Sequence, residues 1–300
     1  MFALSPLALT LSVLCALSLA AADYFRKAVP HSVPTDVLLF YFLGGQLPLI
    51  GLWLVFDANP AALRALATWD YWQPGLPDAL ASLAGNTLFI VAVRRSPIGL
   101  VVPLLSLLPV FTLGIAAVML GELPTARQGV GIVLTAAGVF CVYQPDDVPL
   151  SPRAVWRTFR AEPGTVPMLG VAVAWALTAP LDKMAMSHTS VAAHALGQVG
   201  LLATIVLIWV VIQRRYTSFR LSVAEGRIVV AASWSAGLSY AFQLGAYQLT
   251  LVAFVEALKR SIEISVVLVI GALFLGERLN RHKVIGVALI VCGVPLTVIP

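Results

Sequence analysis

Ten runs of apolar residues, each about as long as a helix that crosses a bilayer, dominate this chain. They fall near residues 4–24, 35–56, 75–93, 97–120, 126–143, 166–186, 192–212, 227–248, 251–276 and 283–299. A backbone in hydrocarbon must satisfy its N–H and C=O groups internally, and runs of this length do so as α-helices. We number them spans 1 to 10. The composition agrees, with 60% hydrophobic and 11% charged residues in 300 and a mean hydropathy of +0.93. A soluble domain carries about 25% charged residues. The fold class is therefore an all-α integral membrane protein with ten transmembrane helices. Connections such as "RRSP" (94–97) and "GELPTAR" (121–127) are short. The longest polar stretch, "QPDDVPLSPRAVWRTFRAEPG" (144–164), divides the chain into two halves of five spans.

Several other readings fall away. The net charge of +5 is spread over loops, so it is no nucleic-acid footprint. The three cysteines, Cys15, Cys141 and Cys292, each sit in an apolar run and read as packing residues. "LSVLCALSLAAADYF" has the apolar core of a signal peptide, but no Lys or Arg precedes Arg26, so cleavage is not expected.

The halves repeat. Leu120, Gly121, Glu122, Gly131, Leu134 and Gly138 match Leu275, Gly276, Glu277, Gly286, Leu289 and Gly293. Lys27 at the end of span 1 falls opposite Lys183 at the end of span 6, within one residue of the same offset. A unit of five helices is odd, so the second unit enters the membrane with opposite polarity. An inverted repeat with a site between its halves is a common plan for secondary transporters. The expected units are a first repeat over 1–145, a central linker loop over 146–165 and a second repeat over 166–300.

The paired "LGE…G…L…G" segments in a five-plus-five layout resemble the EamA repeats of the drug/metabolite transporter superfamily, over nearly the whole chain. The second copy is the more typical, with Arg278 and Leu279 after Glu277, where the first has Leu123 and Pro124. The resemblance implies a basket of spans 1, 3, 4, 6, 8 and 9 around a central cavity, with spans 5 and 10 outside it. It also implies export or exchange of amino acids, other small metabolites, nucleotide sugars or toxic cations.

Gly129, Gly131 and Gly138 in span 5 and Gly286 and Gly293 in span 10 let helices approach closely. Packing within one molecule is the expected use, with a dimer seam as the alternative, so monomer and homodimer both stay open. Pro97, Pro103 and Pro109 should break span 4, as a gate hinge or as a fixed kink.

Span 9 carries the most unusual chemistry, in the run "VEALKRSIEISVV" (255–267). At about 100° per residue, Glu256, Lys259, Arg260 and Glu263 share one face within an arc of about 100°. Each charge left against lipid would cost on the order of 2.5–3.5 kcal/mol, so the face turns inward. The spacing predicts i,i+4 pairs, Glu256 with Arg260 and Lys259 with Glu263. The face is either a self-neutralised strut or the polar lining of a transport cavity, and lining is favoured because intramembrane charges are usually functional. Asn86 in span 3, Tyr240 and Gln243 in span 8 and Trp175 in span 6 are the other candidate solute contacts. Asp23, Arg26, Lys27, Asp182 and Lys183 lie near span ends, where anchoring at the interface is the plainer reading. His188 and His194 show no metal-ligand spacing, and no metal or cofactor is expected. Glu122 and Glu277 are expected to cap or brace the helices that follow them, without touching solute.

No H-E-x-x-H, G-x-S-x-G or phosphate-binding loop is present, so an enzyme is not expected. The reading that fits is a secondary transporter in the cell membrane, an exporter of a small polar metabolite, anionic or zwitterionic. A coupled proton or cation is the candidate energy source. A multidrug or cation exporter is one alternative, and a structural membrane subunit is another.

Charge also predicts orientation. Of the 19 Lys and Arg, all but Arg64, Arg127, Lys183 and the intramembrane Lys259 and Arg260 lie on connections 1–2, 3–4, 5–6, 7–8 and 9–10. The positive-inside rule makes those connections cytoplasmic and puts both termini outside, whereas the family resemblance implies termini inside. The charge bias is the more local evidence. A reporter fused after Pro300 that works only in the cytoplasm should stay silent, and activity would reverse the orientation.

Overall fold

The computed structural model describes residues 6–29, 33–57, 59–108, 110–111, 115, 125–144, 151–214, 221–249 and 252–298. Span 1 is the helix Pro6–Ala28. Span 2 is two helices, Thr35–Gly44 and Leu47–Asp57, and span 3 is Trp69–Arg95. Spans 5 to 8 are Ala126–Val142, Thr165–Met186, Val191–Ile212 and Val223–Leu249. Spans 9 and 10 are Val252–Phe274 and Arg281–Val298.

Local chemistry sets several of these limits. Thr125 and Gln128 form a reciprocal capping box at the start of span 5. The Ser190 hydroxyl accepts from the Ala193 N–H at 3.2 Å to start span 7. Span 4 starts as a short α-helix, Ile98–Val101, and tightens to a 3₁₀ helix over Val102–Leu107. Pro103 has no N–H to give to an i−4 carbonyl, so the α pattern stops there, as the prolines predict. Pro109 lies outside the described residues. Span 3 begins six residues earlier than the apolar run, because "WDYWQPGLPD" is helical despite Pro74 and Pro77. The central linker is not all loop. Pro152–Ala161 is a helix, started by Ser151, whose hydroxyl caps the Ala154 N–H, and by Pro152 at the first position.

The packing follows the repeat. Span 1 packs on span 8 and span 3 on span 6, span 1 also meets span 9, and span 4 meets span 6. Spans 2 and 7, 4 and 9, and 5 and 10 pair with each other. Exchanging each span with its counterpart five places along maps this set of contacts onto itself, as two inverted five-helix repeats require. Spans 5 and 10 meet through glycine, so small residues serve packing within the molecule. A Cβ on Gly138 would lie 2.6 Å from the Gly286 carbonyl oxygen, and one on Gly286 would lie 2.6 Å from that of Gly138.

Glu277 behaves differently from its expectation. It follows Gly276, whose φ of +65° turns the chain at the end of span 9. It caps span 4 of the other repeat, and not span 10. Its carboxylate accepts from the Ile98 N–H at 2.7 Å and the Gly99 N–H at 2.8 Å. The free N–H groups and positive dipole end of a helix start make this a favourable seat for a carboxylate. Lys27, expected at the interface, instead donates to the carbonyls of Val93 and Ser96 at the end of span 3. A cation thus closes span 3 and an anion opens span 4 across one tight corner. Lys183, its repeat counterpart, is exposed. Glu122 lies outside the described residues. Glu277→Ala should lower stability by about 1–3 kcal/mol, because two N–H groups lose their acceptor. Its melting temperature in detergent should fall while solute binding persists, and an unchanged melt would refute the capping role.

Candidate functional site

The four charges of span 9 are buried, as their shared face required. Their pairing differs from the i,i+4 expectation. Lys259 pairs with Glu256, and Arg260 Nη1 bonds Glu263 Oε2 at 2.6 Å, both at i,i+3. The Arg260–Glu256 approach is looser, at 4.0 Å. Lys259 is drawn back towards Glu256 because span 8 adds partners there. The Gln243 amide oxygen accepts from Lys259 at 2.6 Å, and the Tyr247 hydroxyl donates to Glu256.

Glu256, Lys259 and Arg260 border a central cavity that also touches Asn86, Trp175, Tyr240 and Gln243. About 140 Å³ of it is open to the centre of a water-sized sphere, which suits a small solute. Glu263 is the exception among the candidates. It is fully buried and holds Arg260 from behind, off the cavity wall. The basket implied by resemblance is also incomplete. Spans 2 and 7 contribute Phe42, Gln46, Gln198 and Leu202 to the wall, and the described part of span 4 contributes none. Gln46 reaches the wall because span 2 breaks at Gly45, where a Cβ would lie 2.7 Å from Ser233.

Two arginines stand out on this wall. Arg26 was expected at the membrane interface, yet it is 2% exposed and lines the cavity. Its guanidinium carbon lies 4.1 Å from the Phe42 ring centre and 4.6 Å from that of Phe89. Asp23 is its nearest acid, at 3.7 Å, and Nε and Nη1 have no hydrogen-bond partner among the described residues. Arg260 lies 5.3 Å from the Trp175 ring centre, and its Nε is also without a hydrogen-bond partner. Trp175 in turn stacks on Phe89 at 5.6 Å. Aromatic faces hold both cations in place while leaving N–H donors free.

A second polar group lies on spans 3, 6, 7 and 8. His194 Nε2 bonds Asp182 Oδ1 at 2.8 Å, and the Tyr240 hydroxyl donates to the same oxygen at 3.3 Å. Tyr71 meets His194 Nδ1 at 3.2 Å, and Gln198 donates to the Gly75 carbonyl at 2.9 Å. Asp78 completes the group. One donor atom each from Asp78, Asp182 and His194 lies within 4.8 Å of the other two. It is the place among the described residues with the donor density to hold a cation. Asp182, expected near a span end, is buried, and so is His194. Asp78 is a site residue that the sequence marks only as an acid inside a span.

Residues 6–144 and 163–299 match the EamA-like transporter family. A solved structure described as "Crystal structure of protein" superposes with a TM-score of 0.63 at 17% identity, covering 96% of this chain and 95% of the other. At that identity it speaks for the fold alone. No curated protein matches the chain.

The wall geometry predicts a labelling pattern. In a background lacking Cys15, Cys141 and Cys292, single cysteines at positions 256, 259 and 260 should react with a small water-soluble thiol reagent. A cysteine at 263 should not. The opposite pattern, or labelling confined to positions 261 and 265, would remove span 9 from the wall.

Proposed function

Because the chain belongs to the EamA-like transporter family, we propose that it exports a small polar metabolite bearing an anionic group, as a zwitterionic amino acid does. The family is one of transporters and not of enzymes, and the chain is an integral membrane protein. The observation that carries the substrate class is the pair of cavity arginines. Arg26 and Arg260 are buried, supported on aromatic rings, and keep N–H donors without a partner among the described residues. A carboxylate in the cavity meets two guanidinium groups, whose planar fork matches its geometry. Three bases, Arg26, Lys259 and Arg260, face the cavity against two acids, Asp182 and Glu256. That surplus favours an anionic group at the span 9 end, and Asp182 offers a seat for an ammonium. Alternating access between the two repeats, in the cell membrane, would carry such a solute across.

Counterflow in liposomes that hold only this chain tests the reading. The panel contains neutral amino acids, simple carboxylates and quaternary ammonium ions. Solutes with a carboxylate should move. The charge-matched double variant Arg260→Gln/Glu263→Gln should fold and raise the half-saturation concentration about tenfold or more, the equivalent of one charge-assisted hydrogen bond. Movement of the quaternary ions alone would replace this reading with a cation exporter.

A further inference from the structure

We propose that Asp78, Asp182 and His194 form a proton site in the wall of the solute cavity. The proposal rests on the transporter reading for its purpose, but not for its chemistry.

The acids of span 9 each have a Lys or Arg in contact, whereas among the described residues this group has neither. Among the described residues, the ion pair recorded for Asp182 is with His194, and none is recorded for Asp78. Asp78 is 1% exposed, and neither of its oxygens has a hydrogen-bond donor among the described residues. The groups that face the pair are Tyr71 from span 3, His194 and Gln198 from span 7, and Tyr240 from span 8. Further along the wall stand Glu256 and Lys259, which neutralise each other. None of the facing groups brings a fixed positive charge. Two carboxylates this close in a dry wall repel strongly when both are ionised, and one proton between them removes the repulsion and fills an empty acceptor.

The hydrogen bonds give that proton a route. Asp182 and Tyr240 border the cavity and Asp78 does not. The Nε2–H of His194 donates to Asp182 Oδ1, which leaves Nδ1 to accept from the Tyr71 hydroxyl. A hydronium ion in the cavity gives its proton to a carboxylate oxygen of the Asp182–Asp78 pair and leaves as water. The new O–H then bridges the two carboxyls, and the wall loses one negative charge. A solute ammonium that reaches Asp182 answers the same excess charge. Its arrival therefore sends the proton back to water, which makes solute and proton alternate occupants.

Infrared spectroscopy of the purified full chain in lipid nanodiscs reads the proton without needing a solute. At neutral pH the parent protein should show a protonated-carboxyl C=O band that shifts in D₂O and disappears as pH is raised. Asp78→Asn should remove that component. Because Asn imitates the protonated acid, this variant should melt no lower than the parent at alkaline pH. If Asp78→Asn is not monodisperse, Asp182→Asn serves as the second variant with the same expected loss. A band identical in the parent and in both variants, or no titrating band at all, would overturn the site. So would zinc ions that raise the parent's melting temperature but not that of Asp78→Asn, since the group would then hold a metal. Failure of every solute in counterflow with the titrating band intact would count against the transporter reading and leave the proton site standing.

Discussion

A charge carried inside a membrane-spanning bundle has to meet its opposite within that bundle. Removing an ion from water costs several kcal/mol even after the protein relaxes, and a stranded partner costs about 3–5 kcal/mol. This requirement ties the spans together here. Glu263 and Glu256 satisfy Arg260 and Lys259 along one helix. Asp23 lies 3.7 Å from Arg26 along span 1. Phe42, Phe89 and Trp175, from spans 2, 3 and 6, supply the ring faces. Five spans are thereby fixed around two guanidinium groups.

The repeat explains why such a lattice can sit beside an open cavity. Tight corners between spans would expose backbone ends within reach of hydrocarbon, and each needs a partner. Glu277 and Lys27 give the corner between spans 3 and 4 both signs at once. Glu277 belongs to one half and the helix it caps to the other, so the corner also joins the halves. Spans 5 and 10 need no charges to do the same, because glycine lets their backbones approach. The repeats are alike in path and unlike in polar detail. Lys183 is exposed where Lys27 is buried in part.

The path of the chain was legible because hydropathy and helix length are local properties. Ten apolar runs, the matching "GE" corners and the charged face of span 9 all come from spacing alone. Pairing within that face was not, since a choice between i+3 and i+4 depends on Gln243 and Tyr247 from span 8. Depth was harder still. Arg26 and Asp182 lie near the ends of their apolar runs, and nothing in those runs says that neighbouring helices bury them. Asp78 stands near the start of its apolar run, just after Pro74, Gly75 and Pro77, and the helix that runs through them carries it inside span 3. His194 lacks any sequence neighbour that marks it, for its partners come from three other spans.

The two polar groups on the wall are unlike in a way that bears on transport. Among the described residues, donors at Arg26 and Arg260 lack acceptors, and acceptors at Asp78 lack donors. Neither defect can be repaired by the other, since each is held by its own helices and rings. On the proposed reading, an empty cavity therefore keeps both defects wet, through cavity water or a proton, and has reason to stay open to one side. A dipolar solute brings a carboxylate to the arginines and an ammonium to Asp182, and lets the wall dry. Closure then follows from the loss of a need for water, and the energy that favours it comes from hydrogen bonds the empty wall could not make.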